Sequence, residues 1–430
     1  MRQPPIQVVE LELSEPIPDL KPTVSPEGIA YRQALVLVRL HREPLGLLPV
    51  DLPDTTLRAG ELAHIVWSRL HPQIARHLAD DCQPQMWWPP ASGPREAAVP
   101  PCAWEQALQH EDLPLVSVVV TTCDRPFQLR RTLRSLLAQT YPTFEIIVVD
   151  NRPGERSSGT AGEPNIGDPR IRYIEEQRAG LSAARNAGLA EASGTFVAFT
   201  DDDVTVDRHW LASLTHAFLR DQAVACVTGL ILPLELETSA QLLFEQFGGF
   251  GKGFRRRSFD LGPNRPPDPL FPYTAGRFGS GANTAFRTSL LRAIGGFAVE
   301  LGAGTPAHGG EDLDAYLNVI HSGHRLVYEP RAMLWHPHRL DLPGLSKQIH
   351  RYGVGLGAAL AKRLLTGHDE RRQILRRLPA GLAYAVHPRS PKNSGKGPSY
   401  PARLTVLELA GMLRGPIAYG AARRLARAAS

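Results

Sequence analysis

A chain of 430 residues with 43% apolar content can bury a sizeable core and corresponds to two or three domains, which excludes a disordered or fibrous protein. The formal net charge of +5 hides an asymmetry. Residues 339–430 hold 17 Lys/Arg against 4 Asp/Glu, a net of +13, which leaves −8 for the rest and marks the C-terminal part as a separate basic region.

No run of eighteen uninterrupted apolar residues occurs, so no membrane-spanning helix is expected. The first twenty residues are acidic and lack an apolar core region, which argues against a signal peptide. Cys82, Cys102, Cys123 and Cys226 form no CxxC pair and read as reduced thiols of a cytoplasmic protein.

Taken in order, residues 1–82 read as a small α/β module. Two strands are expected near residues 6–13 and 31–40, then a turn, a short partner strand at 47–50 and a helix over 57–78 that Pro72 kinks or breaks. It carries no catalytic cluster. Residues 83–114 are a proline-rich linker, with Trp87 and Trp88 pinning it to a domain surface or, alternatively, offering a platform for sugar stacking.

Strand and helix then alternate. Val116 to Thr121 reads as a buried strand. A helix follows from Asp124-Arg125-Pro126, with Asp124 as its N-cap or as part of a nucleotide site. Residues 144–149 form a second strand ending in Asp150-Asn151, and residues 171–174 a third. A helix of small residues spans 180–192. A strand over 195–199 then runs into Asp201-Asp202-Asp203. The predicted fold is α/β, a doubly wound, mostly parallel sheet. Further strands are expected at 223–232, around 281–287 and at 325–335. A helix opens at Glu311-Asp312, and residues 248–257 look like a mobile loop.

The three consecutive acids are either a solvated turn or a metal site, since unpaired carboxylates at a strand end repel one another. Acids recur at strand ends and helix starts, at Asp124, Asp150, Asp201 to Asp203 and Glu311-Asp312. In an open α/β sheet these positions converge on one edge, where ligands bind. Mg²⁺ or Mn²⁺ shared with a phosphate accounts for them economically, with His336 either a further ligand or merely a strand terminator. Arg255-Arg256-Arg257 is either a solvated run or a substrate clamp.

At this point the sequence resembles the family 2 glycosyltransferases of the GT-A fold. The resemblance rests on six motifs in order: Val118 to Arg125, Val148-Val149-Asp150-Asn151, Gly180 to Gly188, Phe199 to Asp203, Gly295-Gly296-Phe297 and Gly310-Glu311-Asp312. It covers residues 115–340, the expected catalytic domain, and leaves residues 341–430 as a basic helical region.

The resemblance implies a metal-assisted, inverting sugar transfer from a nucleotide sugar, with a UDP-sugar favoured, to an unidentified acceptor hydroxyl. Thr121, Asp124, Arg125, Asp150, Arg185, Asn186, Asp201 and Asp202 would then bind the donor, with a satisfied core amide as the alternative for Asn186. Asp201, Asp203 and His336 would hold the metal, and Gly281 and Asn283 would line the sugar pocket. Asp312, beside Glu311, would be the catalytic base. Asp314 is an extra acid that a helix points away from Asp312.

In the basic region, residues 342–365 can form a helix weakened by Gly353, Gly355 and Gly357, and residues 404–412 another. This region either meets the anionic inner face of a membrane or packs on the catalytic domain with its basic face in water. No nucleic-acid recognition motif accompanies the charge. Two other readings compete. A sugar-phosphate nucleotidyltransferase would want a Gly-rich basic loop where Thr121-Thr122-Cys123-Asp124 stands. A non-catalytic carbohydrate-binding protein has no need of intact Asp201, Asp203 and Asp312.

Overall fold

The structure, a computed structural model, describes residues 4–80, 112–152, 167–397 and 400–428. The linker up to residue 111 with Trp87 and Trp88, Cys82 and Cys102, and most of the polar loop after Asp150 lie outside the described residues.

The N-terminal part forms a three-stranded sheet of β1 (Gln7–Glu12), β2 (Gln33–Leu40) and β3 (Glu43–Asp51), covered by α1 (Ala59–Asp80). β1 pairs parallel to β2, and β2 antiparallel to β3. Helix α1 buries Leu62, Val66, Leu70 and Ile74 at helical spacing and continues through Pro72. This sheet leans on the larger one. Leu37 joins the larger sheet's core, Ile6 bridges to Leu236, and the buried Arg39 reaches Asp207 at 3.0 Å.

The second sheet has nine strands. β4 (Val116–Thr122), β5 (Phe144–Asp150), β6 (Ile171–Glu175) and β7 (Phe196–Asp201) lie in the order β7-β4-β5-β6 and pair parallel. The β-branched and aromatic runs of β4, β5 and β7 are buried on both faces, as parallel strands covered by helices must be, while the edge strand β6 is only partly covered. α2 (Pro126–Leu137) and α3 (Leu181–Glu191) supply the cover. Helix α3 is built of small residues because it lies flat on the sheet: a Cβ at Gly188 would stand 2.4 Å from a methyl of Val119.

Beyond β7 the sheet turns antiparallel. β11 (Asn283–Arg287) sits between β7 and β9 (Val224–Pro233) and opposes both, while β12 (Arg325–His336) runs parallel to β9. β10 (Arg257–Phe259) extends the β12 edge. β8 (Thr205–Val206), not anticipated from sequence, pairs with Leu334 and Trp335 of β12. By these directions the ends of β4, β5, β7 and β12, and the start of β11, all fall on one edge. The turn between β7 and β8 is thereby laid beside His336.

α4 (Trp210–Leu219), α5 (Ser239–Phe247), α6 (Thr288–Ala293) and α7 (Glu311–His321) complete this unit. The C-terminal region forms α8 (Leu342–Thr366), α9 (His368–Val386) and α10 (Ala402–Ala428). Helix α10 is longer than the apolar stretch suggested and runs on through Pro416. No helix among the described residues is long and apolar enough to cross a membrane.

The glycines of α8 are contact points rather than weak points. A Cβ at Gly353 would lie 2.1 Å from the Glu408 carbonyl oxygen, and one at Gly357 2.3 Å from that of Met412. Gly411 and Gly415 answer from α10 at 2.2 and 2.4 Å from α8 backbone. The two helices cross with backbones touching. Gly353→Ala is therefore expected to cost about 1–3 kcal/mol through overpacking. Gly420→Ala, where an added Cβ meets nothing within 4 Å, is expected to gain about 0.5–1 kcal/mol. Thermal melts of the two variants check this pair of opposite signs.

Candidate active site

The acidic turn at the end of β7 divides its three carboxylates among different partners. Asp202 is buried. It accepts from Thr122 Oγ1 at 2.7 Å and from Arg125 Nη1 at 3.3 Å, and burial pushes its carboxyl up to about 6. Arg125 also reaches Asp203 at 3.1 Å. Asp201 faces Arg185 at 3.5 Å, and burial raises its carboxyl pKa as well.

Asp201, Asp203 and His336 each offer a ligand atom within 4.8 Å of the other two. His336 Nδ1 lies 2.7 Å from the Pro337 carbonyl. A carbonyl only accepts, so Nδ1 carries the proton and the Nε2 lone pair faces Asp203 Oδ1, 3.5 Å away. Burial holds this imidazole below its ordinary range, in the neutral form that binds metals. Asp203 Oδ1 is buried without a hydrogen-bond partner. Two carboxylates, a neutral imidazole and an unsatisfied oxygen fit an oxygen-preferring divalent cation such as Mn²⁺.

The second acidic group opens α7. Asp312 accepts from the backbone N–H of Gly281 at 2.9 Å and from that of Leu313 at 2.8 Å, so both carboxylate oxygens are oriented. Glu311 is buried against Arg185, with Nη1 to Oε1 at 2.9 Å. Burial, and then the neighbouring Asp312, outweigh that cation and push the Glu311 carboxyl up to about 7. Asp314 points the other way, as its helical position predicts. It is buried between Lys362 at 2.7 Å and Arg363 at 2.8 Å, which tie α7 to α8.

Arg185 joins the two groups. It is 2% exposed, bonds Glu311 and the Gly281 carbonyl, faces Asp201, and lies over the Phe297 ring at 5.4 Å. The next residue, Asn186, both accepts from Phe297 N at 2.9 Å and donates to Phe297 O at 2.8 Å. Gly296 at φ 67 makes room for this, since a Cβ there would stand 2.5 Å from Asn186 Oδ1. The Arg-Asn and Gly-Gly-Phe motifs are thus two sides of one contact.

Several expectations are corrected. Asp124 is not the helix cap: it is exposed at φ 55, and the cap position of α2 is Arg125 with no side-chain cap bond. Asn186 spends its amide on Phe297 rather than facing the sheet edge. Asn283 does not line a pocket either. It is fully buried, accepts from Trp210 Nε1 and donates to the carbonyls of Leu230 and Ala332. Gly281, two residues earlier, does reach the site through Asp312. Asp150 lies at the sheet edge with its carboxylate paired to Arg152 at 2.8–2.9 Å through Nε. Thr121 is half-buried at the end of β4, and it is Thr122 that bonds the acidic turn.

The arginine run is also resolved: Arg256 faces buried Glu329, Arg257 donates to the Lys252 carbonyl, and Arg255 is exposed. His338 is buried against Glu245. Thr122 and Lys252 escaped the sequence reading. The Lys252 amine lies near Glu245 and Asp312, and burial lowers it to about 8.

Residues 117–295 match the family model described as Glycosyl transferase family 2. That segment, under half of the chain, is thus similar to the family 2 glycosyltransferases. Its α/β sheet, parallel over β7-β4-β5-β6 and ending in the acidic turn, is of the fold class expected from the sequence.

Relatives include the pre-mycofactocin glycosyltransferase of Mycobacterium tuberculosis, 36% identical over 251 residues, 58% of this chain and 48% of that protein. The succinoglycan biosynthesis protein ExoM of Rhizobium meliloti is 28% identical over 257 residues, 58% of this chain and 76% of that protein. The match thus spans about half the length of the mycobacterial relative. Among solved structures, mannosyltransferase PcManGT from Pyrobaculum calidifontis, in complex with GDP-Man and Mn²⁺, aligns with a TM-score of 0.46 at 19% identity. It covers 73% of this chain and 92% of that one, a likeness too distant to carry a functional argument.

Glu311 gives the metal-free protein a pH signature. Its folded-state carboxyl titrates above the ordinary value of 4.5, so between 4.5 and about 7 the folded state holds a proton that the unfolded state has released. Stability then falls as pH rises through that window. Melting temperatures in EDTA should decline across it, and Glu311→Gln should flatten the decline. A wild-type profile that rises instead would reject the assignment.

Proposed function

We propose that the protein transfers a sugar from a nucleotide-diphosphate sugar to an acceptor hydroxyl with inversion. The observation that carries this reading is the bridging of two acidic groups by buried Arg185. One group fits a cation; the other presents an oriented carboxylate.

A divalent metal held by Asp201, Asp203 and His336 would supply charge neutralisation for the donor diphosphate. Arg125 adds positive charge on the same side. Asp312, steered by the Gly281 and Leu313 N–H groups, takes the acceptor hydroxyl proton. The hydroxyl oxygen forms its bond to the anomeric carbon as the bond from that carbon to the diphosphate oxygen breaks, and the electron pair leaves with the nucleotide. One displacement from the opposite face inverts the anomeric centre. Arg185 and Glu311 keep base and metal ligands in register without touching substrate.

Asp150 and Thr121, at the neighbouring strand ends, are placed to meet the nucleoside, with Arg152 yielding the Asp150 carboxylate. The acceptors in view are a cell-envelope polysaccharide, a glycolipid or a small natural product. The test is a panel of UDP-, GDP- and dTDP-sugars with Mn²⁺, read as thermal shift and nucleotide release. One donor class should stabilise the protein and be slowly hydrolysed. A protein that neither binds nor cleaves any nucleotide sugar would defeat the proposal.

A further inference from the structure

The loop entering the base motif carries a second, unassigned feature. His308 is exposed and stands at φ 59, a left-handed conformation that costs a non-glycine residue about 1 kcal/mol or more and tends to be kept at functional sites. Behind it, Gly309 and Gly310 lie against the backbone of Gly355 in α8. Three α8 residues four to eight positions before Gly355 are basic: Lys347, His350 and Arg351. Arg414 of α10 joins them. Burial and then these four groups together hold the His308 imidazole below its ordinary range.

Lys347, Arg351 and Arg414 are exposed, and among the described residues none has a carboxylate partner. His350 Nδ1 donates to the Leu407 carbonyl at 3.1 Å, which fixes its ring and leaves Nε2 available. Positive charge drawn from α8 and α10, with no carboxylate paired to it among the described residues, is a site for an anion with several acceptor oxygens.

The surface beside it is apolar. Leu413 and Ile417 of α10 are 79% and 76% exposed and share one helical face, with Arg414 at its edge. Val406, two turns earlier, is 61% exposed and continues the stripe. Cations beside exposed aliphatic side chains match an ionic head on an apolar chain.

We propose that Lys347, Arg351, Arg414 and the two histidines bind the phosphoryl group of an amphiphilic acceptor, whose apolar chain lies along the Leu413–Ile417 face of α10. The acceptor hydroxyl is then delivered to Asp312, four residues along the chain from His308. This assignment rests on the transferase reading.

Calorimetric titration of the full chain, in Mn²⁺, with dodecyl phosphate, dodecyl maltoside and inorganic phosphate tests it. Dodecyl phosphate should bind best, and Arg351→Ala/Arg414→Ala should weaken it about tenfold or more through loss of two charge-assisted contacts. Arg351→Lys/Arg414→Lys should keep most of the binding, and Leu413→Ser/Ile417→Ser should reduce it. Equal binding by wild type and the alanine pair would overturn the site. Dodecyl maltoside or inorganic phosphate binding as tightly as dodecyl phosphate would overturn the phosphorylated amphiphile. Donor hydrolysis is followed on the same samples. Its absence in wild type counts against the transferase reading, whereas intact hydrolysis without charge-dependent binding counts against this site alone.

Discussion

Asp312→Asn should reduce sugar transfer by about 10²–10⁴-fold, the span that a positioned general base contributes. The amide keeps an oxygen to accept from Gly281 N–H and preserves the local fold, but it cannot take the acceptor proton. Nucleotide binding should survive, because the metal ligands and the ends of β4 and β5 are untouched. Thermal shift with the nucleotide, set beside the transfer rate, separates the two effects. Full transfer by the variant would remove Asp312 from the role, and joint loss of binding and transfer would point to misfolding.

Removal of the metal should be as severe. Chelation is expected to stop both transfer and donor hydrolysis, with Mn²⁺ restoring them. Asp203→Ala should resist that rescue, since Asp203 supplies the buried oxygen that has no other partner. Binding to the folded state alone has a second readout: at about a hundred times Kd, metal stabilises by about 2.7 kcal/mol. Added Mn²⁺ should therefore raise the melting temperature of wild type and leave Asp203→Ala unmoved. Activity in EDTA together with no metal-induced shift in wild type would refute the metal site.

The order of strands 116–122, 144–150 and 196–201 was legible because each is a short apolar run bounded by polar residues. The convergence of Asp150, Asp201 and His336 on one edge followed from that alternation. What sequence could not supply was the partner of each side chain. Arg185 and Glu311 are 126 positions apart, and nothing local distinguishes a donor-binding arginine from one buried between carboxylates.

Asn186 and Phe297 are similarly joined across 111 positions. In the sequence, Asn283 is assigned to the sugar pocket by family resemblance alone. Its three partners come from a helix and two strands that only the folded sheet brings together. The α8 glycines misled for a related reason: propensity describes an isolated helix, whereas these positions are set by the helix that crosses them.

The contact between Gly310 and Gly355 has a mechanical consequence. A Cβ at Gly310 would lie 2.4 Å from the Gly355 carbonyl oxygen, so the start of α7 rests on α8 backbone to backbone. No flexible side chain lies between them to absorb displacement. Any tilt or slide of the α8–α10 pair must reach Glu311 and Asp312 almost undamped, with Lys362 and Arg363 pulling on Asp314 from the same helix. The α8–α10 pair is in effect a stiff mount for the start of α7.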